Sequence, residues 1–176
     1  MKNSIKTFAF ALFLFVCANA LQAQQKIAYI YSDSLIVLMP EKQMADSTIE
    51  QFRKKYEDAL ARKEDDYNKK YKEYQEAITK NKGVEPIGDP LFNLLVSDLQ
   101  ELGQAINKLQ QTAQNDVAKK TQEVYEPIIE KAKKAIAEVA KDKGYTYVID
   151  ASIGGLLYTQ PNDNIIDEVK KKLKIK

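Results

Sequence analysis

The side chains that carry most enzymatic chemistry are nearly missing from this chain. It has no histidine and no tryptophan, and its one cysteine is Cys17. Without Cys17, which falls in a leader segment, the chain cannot form disulfides or bind metals through thiolate or imidazole. It also lacks the pairs needed for Cys-His or Ser-His nucleophilic catalysis. Carboxylate, lysine and tyrosine remain. Asp65 and Asp66 are adjacent carboxylates on a highly charged stretch, with no convergent partners to complete a metal site. Gly154-Gly155 has no Lys-Ser/Thr after it and no helix start, so it is a turn and not a phosphate loop. No catalytic residue, metal ligand or cofactor is expected, and the chain does not look like an enzyme.

What is left is surface chemistry. Tyr56, Tyr67, Tyr71 and Tyr74 fall in one segment, interleaved with Lys69, Lys70, Lys72, Lys80 and Lys82. Tyrosine offers adaptable apolar contact with little loss of rotamer freedom. Each of these rings either presents itself to a bound chain or packs on a neighbouring helix. Tyr67 and Tyr74 share a seven-residue spacing with Leu60 and belong to a helix-facing row; Tyr71 lies off it. The lysine run either attracts acidic partners or is a solvated face. Glu73, Glu76 and Glu85 dilute it.

The elements that position these residues can be read from pattern. Lys2 and Lys6 precede the apolar run "FAFALFLFVCANA", which ends in Ala18-Asn19-Ala20. Residues 1–23 therefore read as a secretory signal peptide, cleaved after residue 20 or 23. Val16 is too bulky a neighbour for lipidation at Cys17. No later segment is apolar enough to span a bilayer, so the mature chain is expected to be soluble in an extracytoplasmic compartment. Losing Lys2 and Lys6 lowers Lys+Arg from 27 to 25, equal to the 25 Asp+Glu. A near-neutral chain gives no global grip on nucleic acid.

"KIAYIYSD", residues 26–33, reads as a strand, with Ser32, Asp33 and Ser34 stopping it and capping the next element. "LIVLM" is a turn or short helix. From Glu41 to Lys143 there are six glycine and proline residues, and four lie between Gly83 and Pro90. Before that cluster, apolar residues recur from Ala45 to Ile78 in steps of mostly three, four and seven, the stripe of one helix about 63 Å long. After it, Leu95, Leu99, Leu102, Ile106, Leu109 and Ala113 follow a 4-3-4-3-4 rhythm, a coiled-coil heptad. The rhythm weakens at Lys120 and resumes at Val124, as at a stutter. This second helix runs about 80 Å, to Gly144. Two such helices joined by eight residues must lie antiparallel. Gly83, Pro86, Gly88 and Pro90 mark the tip, with Gly83 expected to end the first helix in a left-handed conformation. Pro127 interrupts the second helix and is either a hinge or a static bend.

"YTYVID" reads as a second strand and "GLLYT" as a third. Asn162 to Asn164 cap a last helix with Ile165, Ile166, Val169 and Leu173 on its apolar face. The expected fold is α+β and mostly α: a long antiparallel helical hairpin, residues 41–143 with its tip at 83–90, on a small β-containing body formed by 24–40 and 144–176. So small a body buries too little surface to stand alone. Self-association through it is expected, with Ile27, Tyr29, Tyr31, Tyr147, Ile149 and Leu157 at the contact.

The stretches "IAYIYSDSLIVLMPE" (27–41) and "GYTYVIDASIGGLLYTQPNDNIIDEVKKKL" (144–173) resemble the Skp/OmpH family of periplasmic chaperones. The resemblance implies a homotrimer whose strands form a body carrying three helical arms. It also implies that unfolded outer-membrane proteins are held between the arms without ATP. Candidate client-contact residues are Phe52, Tyr56, Tyr71, Ile78, Leu91 and Phe92. Family members are often strongly basic, and this chain is not. Lipopolysaccharide or membrane binding through the tip lysines or through Lys170 to Lys172, Lys174 and Lys176 is therefore not expected. The alternative function is a structural coiled-coil adaptor of the cell envelope that binds one folded partner.

Overall fold

The computed structural model describes residues 25–175; the expected signal peptide lies outside them. The chain runs β1 (Ile27–Ile30), α1 (Ser32–Leu38), α2 (Pro40–Lys80), α3 (Pro90–Lys143), β2 (Tyr147–Asp150), a 3-10 turn (Pro161–Asp163) and α4 (Ile166–Leu173). It divides into two compact units. One comprises residues 25–38 and 130–175 of the described chain, and the other is Met39–Ile129.

In the first unit β1 and β2 pair in parallel, with Ile27 opposite Tyr147 and Tyr29 opposite Ile149. Ala28 and Ile30 point to the other face and are buried, as are Leu35, Ala132, Ala135, Val139, Ile165 and Val169. β1 is short because Ser32 already belongs to a helix, two residues before the expected strand ends. The capping of α1 also differs from expectation. Ser32, Asp33 and Ser34 were the local candidates, but the first helical N–H groups are satisfied from the far end of the chain. Ser32 N donates to Asp150 Oδ1 at 3.3 Å, Asp33 N donates to Ser152 Oγ at 3.1 Å, and the Ser32 hydroxyl donates to Asp150 Oδ2. A carboxylate opposite a helix start both accepts these hydrogens and suits the dipole.

The expected third strand at "GLLYT" is absent among the described residues. Among the described residues nothing pairs with the outer edge of β2, and both edges of β1 are engaged. β2 takes one, while Asn164 bridges to Tyr29 and Ile165 N donates to Tyr29 O at 3.1 Å on the other. Residues 156–158 are left irregular, with a bend at Leu157, and Leu157 and Tyr158 are open to solvent. The N-cap position of α4 is Ile165, which offers no side-chain cap; Asn164, one residue earlier, accepts from Ile166 N at 3.0 Å.

In the second unit α2 and α3 pair antiparallel, as the cross-links between them show. The Tyr125 hydroxyl donates to Asp46, the Tyr56 hydroxyl donates to Asp116, and Lys70 lies 3.2 Å from Asp98. Position numbers rise along one helix as they fall along the other. The heptad residues Leu95, Leu99, Leu102, Ile106, Leu109 and Ala113 are all half-buried, and so is Lys120 at the stutter. Two helices alone cover only one side of each seam residue. The hairpin therefore keeps a partly exposed apolar stripe along its length.

The tip departs from expectation in one detail. α2 stops at Lys80, and Lys82 as well as Gly83 adopts a positive φ, 56° and 83°. Gly83 N donates to Ile78 O at 2.9 Å, the long closing bond of a Schellman cap. Asn81 Nδ2 donates to Val84 O at 3.0 Å, which turns the chain before the glycine is reached. Asp89 then starts α3 by accepting from Leu91 N at 2.9 Å, with Pro90 in the first helical position.

Candidate functional site

The distal half of the hairpin gathers most of the tyrosines, lysines and breaker residues that the sequence marks. Four aromatic rings form a ladder. Tyr67 and Tyr71 stack with centroids 6.2 Å apart, Tyr71 and Tyr74 at 5.9 Å, and Tyr74 and Phe92 at 5.4 Å, all within 22° of parallel. The α2 spacing of four and three residues puts the tyrosines on one side of the helix. Phe92 enters from α3 and closes the ladder at the tip. The Tyr74 hydroxyl donates to Glu85, and that bond, with some burial, holds the phenol above its usual pKa.

Exposure sorts the candidate client residues. Tyr71 is 42% exposed and Leu91 77% exposed. Phe52, Tyr56 and Ile78 are half-buried, and Phe52 meets Tyr56 edge-on at 5.5 Å. Tyr56 is also tied to Asp116, which raises its pKa. Phe92 is only 5% exposed. It is a packing residue of the tip and not surface, because its ring is stacked under Tyr74. Sequence inspection passed over Val84, Ile87 and Leu94, which are all well exposed, as is Leu91. Their spacing was legible in "GVEPIGDPLFNLL", but the glycine and proline residues drew attention to the turn. Gly103 was also passed over. No atom lies within 4 Å of where its Cβ would be, so α3 has a gap there.

In the first unit, Ile27, Tyr147 and Ile149 form the outer face of the sheet and are 45%, 56% and 39% exposed. A shallow groove of about 300 Å³ crosses this face, bounded by Ile27, Tyr29, Ile149, Leu156 and Tyr158. Tyr29 itself is buried, and Tyr31 stacks edge-on to it at 5.9 Å. Two of the C-terminal lysines, Lys170 and Lys172, form ion pairs, as does Lys143 at the end of α3. Lys172 lies 3.0 Å from Glu138 and 3.5 Å from Asp142, Lys170 lies 3.8 Å from Asp167, and Lys143 pairs with Glu168. The Lys143 contact is the main cause that lowers the Glu168 pKa.

Among the described residues there is no group of three or more His, Cys, Asp or Glu placed to hold a metal ion. Among them, too, no helix is long and apolar enough to cross a membrane.

The chain combines a long antiparallel two-helix hairpin with a small α/β unit built from both ends of the sequence. The sequence profile described as outer membrane protein (OmpH-like) matches residues 26–173. The chain belongs to that OmpH-like family. A crystal structure from Caulobacter crescentus CB15, provisionally assigned as an outer membrane chaperone (OmpH-like), has the same fold. Its TM-score is 0.68 at 14% identity, over 86% of this chain and 85% of that one. No curated protein matches the chain.

Proposed function

We propose that this protein is an ATP-independent holdase of the periplasm. It binds unfolded outer-membrane proteins between the hairpins of a homotrimer and keeps them from aggregating. One observation carries this reading: the hairpin exposes large apolar side chains at Met44, Tyr71, Val84, Ile87, Leu91 and Leu94 without gathering them into an enclosed pocket. Scattered weak contacts suit a chain with no fixed shape, and several in one assembly add up by multivalency. Membership of the OmpH-like family agrees with a role in outer-membrane protein assembly.

Self-association through the sheet has its own support. Ile27, Tyr147 and Ile149 leave one sheet face bare, and the unpaired residues 156–158 lie beside it. Under the same reading Pro127 is a hinge, which adjusts the arm to clients of different size. Lys170 and Lys172 are already paired with Asp167, Glu138 and Asp142, which lowers the free positive charge available there for a lipopolysaccharide grip.

Aggregation assays test the proposal. The protein should suppress light scattering from several unrelated unfolded β-barrel proteins, and ATP should make no difference. Suppression of none of them, with tight binding of one folded envelope protein instead, would establish the adaptor and end the holdase reading.

A further inference from the structure

Beside the aromatic ladder lies an open groove of about 520 Å³. Tyr67, Tyr71 and Tyr74 form one wall, Val96 and Leu99 contribute aliphatic surface, and Gly103 leaves room where any other residue would intrude. Glu85 is the charged residue of the lining; no lysine or arginine belongs to it among the described residues. The nearby Lys70 is drawn away to Asp98 at 3.2 Å and Glu73 at 3.5 Å.

Resting on the holdase reading, we propose that this groove takes the guanidinium of an arginine from a bound unfolded chain. A cation is attracted to the face of a tyrosine ring. The planar guanidinium also stacks on aromatic surface, which a lysine ammonium does not. Glu85 supplies the complementary charge. Its Oε1 accepts from Tyr74, and a carboxylate has acceptor sites to spare. The methylene stem of the arginine covers Val96 and Leu99 while its head reaches the carboxylate. Gly103 is otherwise an unexplained weakness in a long helix, since glycine costs about 1 kcal/mol relative to alanine there. The groove gives it a purpose.

The test uses the full mature chain with ring-labelled tyrosines, observed by NMR. Acetyl-Ser-Arg-Ser-amide is titrated against the same peptide carrying citrulline, which keeps the shape and loses the charge. The arginine peptide should shift the rings of Tyr67, Tyr71 and Tyr74, and the citrulline peptide should not. Gly103→Leu fills the groove and strengthens the helix, so a folded variant should lose the shifts. Glu85→Gln keeps the acceptor for Tyr74 and should weaken binding by up to about fivefold, the scale of one exposed ion pair. Equal shifts from both peptides, no shift from the arginine peptide, or full retention in Gly103→Leu would overturn the inference. The ring titration needs no client. A wild type that fails every aggregation assay would sink the holdase reading and leave the groove to be decided on its own.

Discussion

Asp150 shows how much one side chain can organise. Its carboxylate accepts from Ser32 N and from the Ser32 hydroxyl, and also from Ser152 N at 2.9 Å. Partial burial alone would push its pKa up. The hydrogen bonds from Ser32 and Ser152 together outweigh that and hold it below the usual aspartate value. A depressed folded-state pKa means the contribution is present above the unfolded value, about 4, and is lost as pH falls through the folded value. Asp150→Ala should therefore cost about 1–2 kcal/mol at neutral pH, the size of a lost helix cap, and the deficit should shrink in acid. Urea unfolding of both forms at pH 7 and pH 3 checks this. An equal deficit at the two pH values would show that the charge is irrelevant. This cap could not be read from the sequence, because its partners lie 118 residues apart. Local pattern gives helix starts only when the cap is a neighbour.

The helices were far more legible. Their stripes depend on 3.6-residue periodicity, which tertiary context does not alter, and the half-buried positions of α3 match the heptad from Leu95 to Ala113. The failure at "GLLYT" has a different cause. Leu156 to Tyr158 have strand-like composition, but composition does not decide pairing, and these residues leave the outer edge of β2 unpaired. The tip ladder was not legible: Tyr71, which the seven-residue spacing sets off the row of Tyr67 and Tyr74, stacks between them, and Phe92 under Tyr74 depends on how the turn folds. Pro127 belongs to this scale too. It lies exposed inside α3 and cannot donate to the carbonyl of Glu123. Pro127→Ala should raise stability by up to about 3 kcal/mol and slow amide exchange in residues 123–131. If it also leaves the range of client sizes and the small-angle scattering unchanged, Pro127 is a static bend and the hinge proposal fails.

At the scale of the whole molecule the question is what covers the sheet. A face carrying Ile27, Tyr147 and Ile149 next to an unpaired Leu157 is more apolar surface than a small unit leaves bare without a partner. Under the proposed homotrimer, Tyr147→Glu with Leu157→Glu should reduce the mass in solution from three chains to one, measured by light scattering at matched concentration. Each charge would otherwise have to be buried without a counter-ion, which is expensive. A trimer that survives both substitutions would place the contact elsewhere.

The parallel pairing of β1 with β2 also governs how the chain is made. β1 is synthesised early and has no partner until Asp150 has followed it. Closing so wide a loop in one step is slow. Zipping α2 against α3 first shortens the gap that remains. A chain cut short before residue 147 keeps a complete hairpin but an orphaned strand. Quality-control proteases in its compartment would meet that exposed edge first, so truncated copies should vanish while full-length ones persist.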